Sequence, residues 1–181
     1  MKKENQRVAL TKRLLKESLL RLLETESLDS INVSLLCREA GINRATFYKH
    51  YTTPRDVLLD IEKDILGSVR KPEGARTPAA VREYLESICT CLYNNSSKLK
   101  ILLRYNTDED FAQLLSEFNN ALWNMRSKVK GINELDASSV KLISTFLASG
   151  GYFLLRQWIM EDIDKSPAEV TDLIMAIISK E

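Results

Sequence analysis

Histidine is nearly absent from this chain, cysteine is scarce, and 181 residues carry only six glycines and four prolines. Each shortage closes a route. One histidine, His50, with no clustered ligands argues against a metal centre. No Ser/His/Asp set, no paired carboxylate constellation and no phosphate-cradling glycine loop is present, so neither a catalytic residue nor a cofactor is expected. Cys37, Cys89 and Cys91 include no Cys-x-x-Cys pair, and Cys89 and Cys91 sit about 200° apart around a helix. Buried or partly buried free thiols in a reducing cytoplasm are the default for such a set, with a redox sensor as the alternative. There is no run of eighteen apolar residues and no basic-then-apolar leader, so neither a membrane span nor a secretion signal is expected and the location is cytoplasmic. Strand-like alternation is missing as well, and an all-α fold of about nine helices is the expectation.

What is present is an ordinary globular composition, 44% hydrophobic, long enough to bury a core as one or two domains. Net charge is only +1, but it is unevenly placed. Residues 1–55 hold 11 Lys+Arg against 6 Asp+Glu, a balance of +5, and the remainder holds 15 against 19, a balance of −4. A basic head on a mildly acidic body is a distribution suited to a nucleic-acid partner.

The chain is organised around SLLCREAGINRATFYKHY, Ser34 to Tyr51. Leu35, Leu36, Cys37 and Ala40 give a first short helix an apolar face. Gly41 supplies a turn with positive φ, and Asn43 can cap the helix that follows. That second helix, Arg44 to Tyr51, turns Phe47 and Tyr51 to one side and leaves Arg44, Ala45, Thr46, Tyr48, Lys49 and His50 to project. The outward set can hydrogen-bond bases and phosphates, including bidentate contacts from Arg to guanine. Helix, three-residue turn, helix is the helix-turn-helix plan, here about 32–51, which places its second helix in the DNA major groove.

From about Thr11 to Leu66 the sequence resembles the TetR family of bacterial transcriptional regulators. The matching pieces are TKRLLKESLLRLL, NVSLLCREAGINRATFYKHY and the Pro54–Leu59 start of the next helix. The resemblance implies an N-terminal three-helix DNA-binding domain (6–70) and a C-terminal helical effector and dimerisation domain (77–181). It implies DNA contacts from Ser34, Arg44, Ala45, Thr46, Tyr48, Lys49, His50, Thr52 and Arg55. His50 has two readings: a favourable charge at the negative end of a helix, or the phosphate or base-edge contact that the motif position implies. The sequence departs from the family at Pro54, where a phosphate-binding lysine is usual, and Arg55 is the candidate replacement.

Around that motif, Leu15, Leu19 and Leu22 commit one face of a first helix from about Gln6 to Glu24, with Lys12, Arg13, Lys16 and Arg21 mostly on the solvent side. Leu28 and Ile31 read as plugs in the loop, and Ser30 or Asn32 caps the next helix. Thr53, Pro54 and Asp56 form a capping pattern for a fourth helix with Val57, Leu58, Ile61, Ile65 and Leu66 inward. The Lys71–Thr77 linker marks the domain boundary. Beyond it, Thr77-Pro78 opens a helix to about Asn94, a short basic helix covers Lys98 to Tyr105, and Thr107 opens one ending at Gly131. Asp136 starts a helix to about Asp162, roughly 40 Å long, and Ser166-Pro167 with Glu169 starts the last, ending near Lys180.

The last two helices are apolar beyond what a surface pair needs. The resemblance implies that they pair with their copies as a four-helix bundle through Phe146, Gly150, Leu154, Trp158, Val170, Leu173, Ile174, Ile177 and Ile178. The alternative is that this stripe is simply the chain's own core. The resemblance also implies a pocket for a small inducer, for which Tyr84, Tyr93, Tyr105, Phe111, Phe118, Trp123 and Tyr152 are candidates, although aromatic residues at helical spacing are more often plain core. The expected function is a dimeric, sequence-specific DNA-binding regulator on a palindromic operator, a repressor released by a small-molecule effector. The competing expectation is an activator or co-regulator whose C-terminal domain docks another protein.

Overall fold

A computed structural model of the chain describes residues 2–67, 69, 77–105 and 136–178. All regular structure among them is helical. The chain divides into two compact units, one made of residues 1–67 with 101–105, the other of 68–100 with 106–181.

In the first unit, α1 spans Lys2–Leu22, a 3-10 turn Leu28–Ser30, α2 Val33–Ala40, α3 Arg44–Phe47 and α4 Pro54–Gly67. Helix starts are set by local chemistry. Asn32 caps α2, its side chain accepting from Leu35 N at 2.9 Å, so of Ser30 and Asn32 it is the asparagine that caps. Thr53 and Asp56 close a reciprocal box on α4: Asp56 N donates to Thr53 Oγ1 at 3.3 Å and Thr53 N donates to Asp56 Oδ2 at 2.8 Å. The core is Leu15, Leu19, Leu23, Ile31, Leu36, Phe47, Val57, Leu58, Ile61 and Ile65, all buried. Leu22 is only half-buried and Leu23 is buried instead, because Leu15, Leu19 and Leu23 repeat every four residues along one face and Leu23 N still bonds to Leu19 O at 2.9 Å. Ile31 is a plug as expected, while Leu28 is half-buried. Leu102 is buried, and the Tyr105 hydroxyl donates to the carbonyls of Leu23 and Glu26, 3.2 and 3.0 Å away. Those carbonyls follow the end of α1, where backbone acceptors lack helical partners.

The second unit contains α5 Pro78–Asn94, most of α6 (Ser96–Leu102), α7 Ala137–Met160 and α8 Pro167–Ile178. Thr77 caps α5 and Asp136 caps α7, the latter accepting from Ser138 N at 2.8 Å and Ser139 N at 2.9 Å. Those two amides and the Ser139 hydroxyl hold the Asp136 carboxyl below its ordinary range. Ser166 and Glu169 box the start of α8, Ser166 N donating to Glu169 Oε2 at 2.8 Å. The core joins Val81, Leu85 and Cys89 of α5 to Ala148, Leu155, Trp158 and Ile159 of α7 and Val170 and Ile174 of α8. Ion pairs Arg82–Asp172 and Lys100–Asp162 and a bond from Trp158 Nε1 to Lys165 O, 3.1 Å, secure the periphery. The expected helix from Thr107 to Gly131 and the linker at 71–76 lie outside the described residues.

Candidate nucleic-acid interface

The turn between α2 and α3 is built by its own residues. Gly41 takes φ 65° and ψ 27°, the left-handed region that glycine enters without a Cβ penalty. Ile42 N then donates to Cys37 O at 2.9 Å and Gly41 N to Arg38 O at 3.3 Å, the paired bonds of a Schellman motif. Two residues later the Asn43 side chain accepts from Ala45 N at 2.8 Å and starts α3.

The sequence suggested a helix from Arg44 to Tyr51, but α3 is α-helical only over Arg44–Phe47. The chain then tightens: Lys49 N bonds to Thr46 O at 3.3 Å and His50 N to Phe47 O at 2.9 Å, before Tyr51 N returns to Phe47 O at 3.0 Å. Threonine, aromatic residues and histidine are weak helix formers, and both Phe47 and Tyr51 are drawn into the core. Phe47 is fully buried and Tyr51 is 7% exposed, their rings 5.9 Å apart. Tyr48 sets its edge against Phe47 at 5.5 Å and stays half in solvent.

With that side anchored, Ser34, Arg44, Ala45, Tyr48, Lys49 and Thr52 are exposed, and Thr46, His50 and Arg55 are half-buried. The structure therefore brings the nine sequence-predicted residues onto α2, the α3 turn and the start of α4, none of them in the core. Chemically the set offers guanidinium, ammonium, hydroxyl, imidazole and methyl groups, a mixture suited to phosphates and base edges.

Of the α1 cations, Arg13 and Arg21 are exposed and Lys12 is partly so, as expected, whereas Lys16 is turned under toward α4. Lys16 Nζ lies 3.0 Å from Asp60 Oδ2 and 2.6 Å from Asp64 Oδ2, and Lys12 Nζ lies 3.3 Å from Asp60 Oδ2. Arg21 is paired with Glu39 of α2 at 3.1 Å. The same Asp60 oxygen accepts the Tyr51 hydroxyl at 2.6 Å. Burial resists a charge on Asp60, but bonds from Tyr51, Lys16 and Lys12 outweigh it and hold its carboxyl at about 2. Burial together with the facing carboxylate pushes the Tyr51 hydroxyl far above its ordinary range, so it remains a neutral donor. Sequence reasoning missed Asp60. The signal was available: Lys12 and Lys16 on one helix, and Asp60 and Asp64 on another, repeat the same four-residue spacing.

The cysteines are all buried. Burial raises the thiols of Cys37 and Cys89, the reverse of what a reactive thiolate requires. Among the described residues no group of His, Cys, Asp and Glu could hold a metal ion, and no helix is long and apolar enough to cross a membrane.

In the second unit the expected dimer stripe separates into two sets. Trp158, Val170 and Ile174 are buried in the chain's own core, and Leu154 and Ile178 pack against it. Phe146, Leu173 and Ile177 are exposed, as is Gly150, where an added Cβ would meet nothing within 4 Å in this chain. The division follows from helix geometry: Leu142, Phe146, Gly150 and Phe153 step by three and four along one face of α7, while Ala148, Tyr152, Leu155 and Ile159 occupy the opposite one. Leu142 and Phe153, 72% and 56% exposed, were absent from the sequence-based set although the same spacing reaches them.

The aromatic residues considered for an inducer pocket are scattered. Tyr152 is buried, Tyr84 half-buried, and Tyr93 is 54% exposed and stacked on Trp158 at 5.9 Å. Tyr105 belongs to the first unit, where its hydroxyl serves α1. Phe111, Phe118 and Trp123 lie outside the described residues.

The family model TetR_C_8, transcriptional regulator C-terminal region, matches residues 80–180. Among solved structures, a TetR transcriptional regulator from Streptococcus agalactiae 2603V is similar with a TM-score of 0.73 at 18% identity, covering 98% of each chain. The dihydroxyacetone kinase operon activator DhaS is similar at 0.62 and 18%, covering 93% of each. The fatty acid degradation regulator FadR from Bacillus halodurans is similar at 0.60 and 16%, covering 93% of this chain and 94% of that one. No curated protein matches this sequence significantly. At such identities the structural likeness is one of fold. With the helix-turn-helix geometry in the first unit and a family match across more than half of the sequence, this chain belongs to the TetR family of transcriptional regulators.

Proposed function

We propose that the protein is a homodimeric, sequence-specific DNA-binding regulator acting as a repressor from which a small-molecule effector releases DNA. The observation that carries the DNA-reading part is the division of the α3 turn. Phe47 and Tyr51 are buried while Arg44, in α3, and Tyr48 and Lys49, in the turn that follows it, stand exposed. Residues 6–70 form the DNA-binding domain of this reading and residues 77–181 the effector and dimerisation domain. Arg44, Lys49 and Arg55 supply positive charge, Ser34, Thr46, Tyr48 and Thr52 supply hydroxyls, Ala45 supplies a methyl group, and His50 contacts phosphate or a base edge.

Dimerisation is supported by α7, which is apolar on two opposite faces, only one of them buried among the described residues. A helix hydrophobic on both sides is ordinarily buried on both. Two copies of α7 and α8 pairing through Leu142, Phe146, Gly150, Phe153, Leu173 and Ile177 cover the other. Two heads then address half-sites about 34 Å apart on a palindrome. Effector binding shifts the dimer between arrangements whose head spacing fits or misfits that separation.

The test is selection of bound sequences from a random DNA pool by the full-length protein. A palindromic consensus supports both DNA reading and two-fold symmetry; recovery of unenriched sequence refutes the proposal. A second reading is favoured by one similar structure being that of an operon activator. In it the protein switches expression on and its body docks another protein instead of a small ligand. Reporter transcription from the selected sequence, with and without the regulator, separates the two by sign.

A further inference from the structure

A one-turn helix is too short to fix its own direction. Phe47 sets the depth of α3 in the core, and Tyr51 is the second buried ring of the segment. A second, directional attachment is needed before Arg44, Tyr48 and Lys49 can meet base edges in register. The first unit supplies one at the other end of the segment. Asp60 Oδ2, on α4, accepts the Tyr51 hydroxyl at 2.6 Å. The same oxygen faces Lys16 Nζ at 3.0 Å and Lys12 Nζ at 3.3 Å, both from α1. Lys16 also reaches the Asp60 backbone carbonyl at 3.3 Å and Asp64 at 2.6 Å. Lys12 Nζ stands 5.2 Å from the centre of the Tyr51 ring, within cation–π range. One carboxylate oxygen thus joins three elements: α1, the end of the recognition turn and α4.

Resting on the proposal that the α3 turn reads DNA, we infer that Asp60 is a positioning residue for sequence discrimination, acting through the Tyr51 hydroxyl to fix the angle at which Arg44, Tyr48 and Lys49 are presented. Asp60 meets the segment through the Tyr51 hydroxyl. Its charge also offsets Lys12 and Lys16, so removing it adds one positive charge to the head. Non-specific affinity follows phosphate neutralisation, whereas discrimination follows the geometry of base contacts. Loss of Asp60 therefore acts on the two affinities in opposite directions. A residue that only stabilised the fold would lower both together.

The experiment compares the full-length wild type with Tyr51→Phe, Asp60→Asn and the double variant, measuring Kd for the selected operator duplex and for an unrelated duplex of equal length in the same salt. Thermal midpoints by circular dichroism confirm that each variant is folded at the assay temperature. Tyr51→Phe keeps the ring and its packing and removes only the bond, so it covers the case in which Asp60→Asn unfolds. The expected result is an operator affinity about tenfold weaker for Tyr51→Phe, the scale of one hydrogen bond to a charged group, with unrelated duplex bound as by wild type. Asp60→Asn should bind the operator more weakly and the unrelated duplex as tightly or more tightly, and the double variant should discriminate no worse than Asp60→Asn. Wild type that discriminates while Tyr51→Phe keeps the same operator-to-unrelated ratio overturns the positioning role alone. Wild type that does not discriminate overturns the DNA-reading proposal beneath it.

Discussion

Phe146 and Ile174 sit on neighbouring apolar helices, and replacing each with aspartate should have opposite consequences. Phe146 is 75% exposed in the single chain, whereas Ile174 is 5% exposed and packed among α5, α7 and α8. A phenylalanine presents on the order of 200 Å², so covering its exposed part with a second copy removes roughly 150 Å² from water. At about 25 cal/mol per Å² that is up to about 4 kcal/mol per copy. An isologous interface carries the change twice, and losses on association reduce the sum. A dimer weakened at least about a hundredfold is the conservative expectation. The Phe146→Asp chain itself loses little, since the side chain was already in solvent. Ile174→Asp instead buries an unpaired carboxylate in the core, a change of about 4 kcal/mol or more that most domains of this size do not survive. Sedimentation velocity over a range of concentrations, with far-ultraviolet circular dichroism on the same samples, distinguishes the outcomes. Phe146→Asp should sediment as a folded monomer and Ile174→Asp should lose helix signal. A Phe146→Asp protein that keeps dimer mass at low micromolar concentration would refute the assignment of this face.

Arg44→Ala and Lys49→Ala should each weaken operator binding by about 1–3 kcal/mol while thermal midpoints stay put, because both side chains are exposed; gel-shift titration beside a melting curve checks this, and a large fall in stability would count against the exposed placement. Operator affinity should also drop steeply with added salt as counterions are released, and a flat titration would contradict phosphate contact. Gly41→Ala should lower stability by about 1 kcal/mol through the backbone alone, since φ is 65° and an added Cβ meets no atom within 4 Å; an unchanged urea midpoint would show that the left-handed turn is not required. Acid stability carries a signature of Asp60, whose folded value is depressed to about 2. The unfolded carboxyl titrates at about 4, so its contribution is complete above about pH 4 and is lost as pH falls toward 2. Asp60→Asn should remove that part of the acid limb, and parallel wild-type and variant curves between these values would rule it out.

The residues of the reading head were legible because their determinants are local. A glycine that must take positive φ, an asparagine that caps, and apolar side chains four apart define helix, turn and helix within eighteen residues of chain. Capping at Asn43, Thr53, Thr77, Asp136 and Ser166 was readable for the same reason, since donor and acceptor lie two or three residues apart, while at α2 the sequence left Ser30 beside Asn32. The exposure of Arg44, Ala45, Tyr48 and Lys49 followed from this periodicity without knowledge of any distant partner.

Other features depend on which surfaces meet, and periodicity does not state that. The apolar content of α7 and α8 was plain in the sequence, but only packing against α5 decided that Trp158, Val170 and Ile174 turn inward while Phe146, Leu173 and Ile177 stay out. Likewise, the charges of Lys12 and Lys16 could be read as a solvated face until α4 brought Asp60 beneath them, 48 and 44 positions away. Tyr105, grouped by sequence with the body's aromatic residues, folds against the end of α1 in the head. Sequence by itself fixed the local geometry of the helix-turn-helix because backbone bonds and caps act within a few residues. Tertiary structure alone decided that Asp60 meets the end of that turn and which apolar face of α7 stays exposed, because both arise from side chains far apart in the chain competing for the same buried space.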